Sequence, residues 1–184
     1  MKKFLCCVVL ITSQLLVLGQ GRILWNEAVD GRLSATPDAP TLLGSLSYGT
    51  NSIFGRVEAT PSQFGWTGTN DFFTFNIPAG SQVGAVYLTV SQQILAWLGT
   101  ADFGTEIGHR YTATSENLIP FFGGLPLSSG AFGMYTYDND LQSFPTSVDY
   151  RLDFVVSTVP EPSTWALLAL GGAACWCTTR RRRK

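Results

Sequence analysis

Val148-Asp149-Tyr150-Arg151-Leu152-Asp153-Phe154-Val155-Val156 decides the fold class. Val148, Tyr150, Leu152, Phe154 and Val156 point one way and the charged Asp149, Arg151 and Asp153 the other, which is the period-two signature of a strand with one buried and one wet face. Asp71 to Ile77 repeats it, with Phe73, Phe75 and Ile77 inward. Ile77-Pro78-Ala79-Gly80 then fits a type I turn, with Pro second and Gly fourth. Val83 to Val90 resumes as a strand expected to be buried in part on both faces. Further strands are expected at Leu42 to Leu46, Ser52 to Glu58, Ile94 to Leu98, Arg110 to Ala113 and Gly130 to Tyr137. Gly49-Thr50-Asn51 is expected as a short hairpin loop.

Between Arg22 and Thr158 no run of eleven or more residues carries capped helical spacing of apolar positions. Eight or nine short strands separated by Gly, Pro, Asn or Asp imply an all-β body, a single β-sandwich or jelly roll. About 137 residues bury roughly two-thirds of their unfolded surface, enough for one core without disulfides. The expected organisation is a signal peptide over 1–21, a β-sandwich ectodomain over 22–158 and a C-terminal segment over 159–184. The sandwich would thus be flanked by an N-terminal signal helix and a single C-terminal transmembrane helix.

The formal net charge of −1 hides three unlike segments. From Arg22 to Thr158 there are five arginines, no lysine and twelve acids, a net of −7. Phosphate backbones demand clustered cations, so nucleic-acid binding is excluded as a function of the body. The positive charge sits at the ends instead, in Lys2 and Lys3 and in Arg180, Arg181, Arg182, Arg183 and Lys184.

At the N-terminus, Lys2 and Lys3 precede an apolar run from Phe4 to Leu18, and Gly19 and Gly21 lie three and one positions before a cut ahead of Arg22. This is a secretory signal; the alternative, an uncleaved anchor, needs a longer run of ~20 apolar residues. No Cys follows the small residues, which argues against a lipoprotein cut. At the C-terminus, Pro160-Glu161-Pro162-Ser163 is expected to be extended and accessible because two prolines remove donors and disfavour helix before them. A short apolar span from Ser163 to Thr179 follows, at the lower length limit for crossing the membrane, and the basic cluster then holds its end in the cytoplasm. Residues alone leave a plain membrane anchor as the alternative. All four cysteines, Cys6, Cys7, Cys175 and Cys177, fall in these end segments, so the body has neither disulfide nor thiol nucleophile.

This tripartite tail resembles the PEP-CTERM sorting signal of Gram-negative bacteria, read by a multi-pass membrane transpeptidase called exosortase. The resemblance implies that Pro160, Glu161, Pro162 and Ser163 form the sorting motif and that the span and basic tail are discarded after cleavage. It also implies exosortase and the inner membrane as partners, and an exopolysaccharide setting at the cell surface or in the extracellular matrix. Asp30 to Ser34, Asn70 to Gly80 and Tyr150 to Val156 resemble a β-sandwich ectodomain recurring among sorting-signal proteins. The D-x-F-x-F-x-I-P-A-G stretch from Asp71 to Gly80 is similar to bacterial pre-peptidase C-terminal domains, which are non-catalytic.

Chemistry-bearing residues are few. His109 is the only histidine, with Asp102 and Glu106 nearby in sequence, and this trio is the one arrangement a secreted hydrolase could use. The chain has no G-x-S-x-G, H-E-x-x-H, P-loop or G-x-G-x-x-G, and nothing nominates a carboxylate pair for glycoside cleavage. Tyr137-Asp138-Asn139-Asp140 has oxygen ligands for calcium but lacks the spacing of an EF-hand loop and reads as a turn. The expectation is therefore a non-enzyme without cofactor or metal. Trp25, Trp66 and Trp97, with Tyr135 and Tyr137, could stack on sugar rings, although aromatics on strands usually fill a core. Trp66, in the loop-like Phe64 to Gly68, is the candidate for glycan contact, and a glycan-binding module is the alternative function.

Overall fold

The computed structural model describes residues 21–62, 65–124, 126–138 and 146–159. In chain order the first elements are β1 (Arg22–Asn26), a single helical turn α1 (Glu27–Asp30), β2 (Thr41–Ser45), β3 (Gly49–Ser62), β4 (Gly65–Gly68) and β5 (Asn70–Ile77). They are followed by β6 (Ser81–Val90), β7 (Ile94–Thr100), β8 (Glu106–Thr112), β9 (Glu116–Asn117), a 3-10 turn (Ile119–Phe121), β10 (Gly130–Asp138) and β11 (Thr146–Thr158). One sheet has the order β1-β3-β11-β6-β9, with β4 paired to β3; the other has the order β2-β5-β10-β7-β8. The eight strands expected from alternation are all present, and the additional ones, β1, β4 and β9, have at most five residues each. So short a segment carries too few side chains to show a period.

The alternation of β11 translates directly into packing. Val148, Tyr150, Leu152, Phe154 and Val156 are all buried, and β11 pairs antiparallel with β3 on one side and β6 on the other. Facing them from the second sheet are Phe73, Phe75 and Ile77 of β5, Ile94, Ala96 and Leu98 of β7, and Met134 of β10. The rings of Phe75 and Phe154 meet across the gap with centroids 4.8 Å apart. This is a face-to-face sandwich whose core is built from the inward residues of both sheets.

Three local expectations are corrected by register. Val83, Val86 and Leu88 are buried and Tyr87 and Thr89 exposed, so β6 buries one face rather than both. The apparent continuity comes from a β-bulge: Val155 pairs with Ala85 and Val156 with Val83, leaving Gly84 unpaired and turning Val83 and Val86 to the same side. The turn after β5 is displaced by one residue. Ser81 N–H donates to Pro78 O, which puts Gly80, at φ +73°, third as in a type II turn.

Gly49 to Asn51 is no hairpin loop, because β2 and β3 belong to different sheets. The buried Asn51 side chain sets this crossing. Its Oδ1 accepts from Ser47 N–H at 2.9 Å and its Nδ2 donates to Ser47 O at 2.7 Å, satisfying the backbone where no ladder does. The signal and transmembrane helices lie outside the described residues. Among the described residues no helix is long and apolar enough to cross a membrane.

One polar contact spans the core. Tyr150 of β11 lies over Gly55 of β3 and donates its hydroxyl to Asp71 Oδ2 of β5 at 3.0 Å. Asp71 is 1 % exposed, and its other carboxyl oxygen has no partner among the described residues. Burial raises its pKa to about 7 from 3.8, Glu27 and Glu58 adding to the effect while the Tyr150 hydroxyl and Arg32 oppose it. Near neutrality this side chain is balanced between a buried acid and a buried anion.

Two predictions follow from this contact. A Cβ at Gly55 would stand 2.3 Å from the Tyr150 ring, so Gly55→Ala should lower stability by about 2 kcal/mol or more. Gly84→Ala, which meets nothing within 4 Å, should stay within about 0.5 kcal/mol of the parent; urea unfolding midpoints compare the two. The folded protein holds the Asp71 proton up to about pH 7, whereas the unfolded chain releases it near 3.8. The neutral acid's contribution is therefore complete below about pH 4 and is lost as the pH rises through 7. The urea midpoint should fall between about pH 4 and 7 and level off above, and Asp71→Asn, which stays neutral and keeps an acceptor for Tyr150, should flatten that fall.

Candidate functional site

The two outer faces of the sandwich differ in chemistry. On the β3–β11 face, Arg56 lies 3.3 Å from Glu58 and 3.7 Å from Asp149, and Arg151 lies 2.9 Å from Asp153. Exposed pairs of this kind add little stability and describe a solvated surface. Beside it a recess of about 500 Å³ is lined by Asn26, Glu27, Arg32, Arg56, Glu58 and Tyr150. Its charges are spent on the fold: Glu27 accepts from the backbone N–H of Leu33 and of Arg56, each at 2.7 Å, and Arg32 pairs with Glu58 at 3.2 Å.

The outer face of the second sheet is aromatic. Register places His109 of β8, Trp97 of β7, Tyr135 of β10 and Phe72 of β5 side by side in one row, and Tyr111, Leu95, Tyr137 and Asn70 in the next. Trp97 stacks on Tyr135 at 5.1 Å and on Phe103 at 5.9 Å, and Phe72 packs against both Tyr135 and Phe103. Phe103 reaches this position from the loop after β7 with φ +57°, a conformation costly for a bulky residue. Gly133 leaves the room that Phe103 fills, since a Cβ there would come within 3.0 Å of its ring, and Gly99, which faces Gly133 in register, leaves room for the Trp97 ring, 2.0 Å from where its Cβ would stand.

Of the hydrolase trio, two members converge. Glu106 accepts from Trp97 Nε1 at 2.9 Å and holds His109 Nδ1 at 2.6 Å. Those bonds, His109 first and Trp97 second, hold the Glu106 carboxyl below the usual range, so it is an anion at neutral pH. Asp102 is engaged elsewhere, accepting from Thr100 Oγ1 and from Gly104 N–H within its own turn, and its pKa is lowered by the same bonds. The pair fixes the orientation of the imidazole and gives this edge of the sheet a polar, anionic contact.

The aromatic candidates divide by environment. Trp97 is 7 % exposed and stacks on both Tyr135 and Phe103, so it supports the surface rather than contacting a ligand. Trp25 is half-buried against the core and donates Nε1–H to Gly31 O at 2.9 Å. Trp66 lies on β4 opposite Pro61 rather than in a loop, and its side chain lies outside the described residues. Tyr135 and Tyr137 are half-buried on the aromatic face, and burial, then the Glu106 charge, raises the Tyr135 phenol. Tyr111, 43 % exposed on the same face, carries no signal in the sequence, because only register reveals that it joins Tyr137 across β7.

Of the calcium candidates, Tyr137 and Asp138 end β10, while Asn139 and Asp140 lie outside the described residues. Among the described residues no group of three His, Cys, Asp or Glu is arranged to hold a metal ion. The cysteines, Pro160 to Ser163 and Arg180 to Lys184 also lie outside them.

The two ends of the body leave the sandwich together. β1 runs parallel to β3 and β11 antiparallel to it, and Arg22 and Phe154 both register with Asn51. They are separated by two strand spacings, about 10 Å. Beyond β11, Val159 N–H donates to Gly80 O at 2.8 Å, tying the exit of the chain to the turn between β5 and β6.

No curated protein matches the chain. A family model described as the PEP-CTERM protein-sorting motif matches residues 158–183, beginning at the last residue of β11. The chain is therefore an all-β body that carries a PEP-CTERM protein-sorting motif at its C-terminal end, the signal read by exosortase.

Proposed function

We propose that this protein is delivered across the inner membrane by residues 1–21 and anchored transiently by the apolar span within 159–184. Exosortase then processes it, leaving residues 22–158 as a structural or adhesive component among exopolysaccharides at the cell surface or in the matrix. The sorting motif over 158–183 carries the reading. The arrangement of the body supports it, because entry and exit at one end let a membrane hold the chain by that end while both sheet faces stand clear. In this reading the body acts through its surface, where Glu106 holds His109 and Arg32 and Arg56 both pair with Glu58.

The expected outcome in cells that possess exosortase is a mature protein lacking the Arg180–Lys184 cluster, detected by C-terminal peptide mass. Deleting the sorting enzyme, or replacing Pro160, Glu161 and Pro162 together by alanine, should leave the basic tail attached and the protein in the inner-membrane fraction. An intact C-terminus in the presence of exosortase would overturn the proposal.

A further inference from the structure

We propose that the outer face of the β2-β5-β10-β7-β8 sheet is a binding strip for a neutral polysaccharide chain, with Tyr111 and Tyr137 as stacking rings and the Glu106–His109 pair as the polar contact. The inference deepens the proposed surface role by naming a ligand class, and it rests on that role only for where the ligand is met.

An exposed sheet face normally presents polar side chains, as the β3–β11 face does here. This one presents aromatic rings on three adjacent strands, flanked on the same face by the Trp97–Phe103 stack that the two glycines admit. Tyr111 and Tyr137 flank Leu95 and stand about two strand spacings apart, roughly 10 Å, a span that reaches beyond a single pyranose ring to a chain of sugars. Each ring offers an apolar face to the C–H face of a sugar and a hydroxyl to its rim.

The polar groups select against other occupants. Glu106 and His109 are 46 % and 49 % exposed, and covering this pair with a dry protein surface would strip its water without replacement. Sugar hydroxyls both donate and accept, so they replace that water. His109 Nδ1 is held by Glu106, which leaves the opposite ring nitrogen to meet a ligand. The ionised Glu106, on a body of net charge −7, repels polyanions and anionic lipid headgroups alike.

The test uses the full chain purified in detergent micelles and run through native gels containing hydroxyethylcellulose, galactomannan or dextran as neutral probes, with alginate as a polyanion. Retardation by at least one neutral probe is expected, with apparent Kd raised about tenfold by Tyr111→Ala and by Tyr137→Ala at unchanged Tm. Tyr111→Phe should keep most of the binding. Tyr87→Ala, at an exposed tyrosine on the opposite sheet, should bind as the parent does. If an alanine variant unfolds, His109→Ala at the exposed edge should weaken binding in its place. Absence of retardation by every neutral probe, equal losses in Tyr87→Ala, or retardation by alginate alone that vanishes in salt would each overturn the proposal. Because the assay uses purified protein, a chain that binds glucan but keeps its tail in cells counts only against the sorting reading, and a processed chain that ignores all neutral probes counts only against the strip.

Discussion

The insertion of β11 between β3 and β6 is the constraint on which the rest of the structure depends. Its five apolar side chains leave water only when the second sheet covers their face, and its ladder partners lie 60 to 107 residues earlier in the chain. Closing so long a loop is entropically tolerable because the cost grows only logarithmically with length, while the ladder satisfies the backbone along both edges. The topology has a geometric consequence. An antiparallel β11 and a parallel β1, placed on opposite sides of β3, bring the two ends of the body to one end of the sandwich, where the sorting motif begins.

Glycine positions decide how the two sheets are decorated. Gly55 lets the Tyr150 ring settle over β3 and reach Asp71 in the opposite sheet, which puts an ionisable group inside the core. Gly99 makes room for the Trp97 ring and Gly133 for the Phe103 ring, which lets the two stack on the outer sheet face. In both cases the missing Cβ is matched by a ring from elsewhere in the chain. Packing density is conserved although the residue at the site contributes nothing to it.

Much of the fold was legible in the residues themselves. The alternation of Val148 to Val156 and of Phe73, Phe75 and Ile77 identified strands and their buried faces, because side-chain direction along a strand is a local property of the backbone. Val83 to Val90 misled because a bulge at Gly84 adds a residue without changing composition, so the period breaks without a visible mark. Gly49 to Asn51 misled because its residue types suit a tight turn, and only the partner of the Asn51 amide shows a crossing between sheets. Among the site residues, Glu106 and His109 meet because a strand brings them to one edge, whereas Asp102 turns back on its own loop.

The sequence alone determined the order of address and body: a cationic start before an apolar run, an acidic β-rich middle, and a proline motif followed by a short span and a basic end. These are one-dimensional properties, read by membrane and enzyme along the chain. The tertiary structure decided which residues share a surface. Tyr111 and Tyr137 are 26 positions apart and become neighbours through Leu95, and Asp71 and Tyr150 are 79 apart and share a proton-sensitive hydrogen bond. Such pairings follow from strand order and register, which are set by the burial of the whole apolar set at once and leave no trace in any single segment.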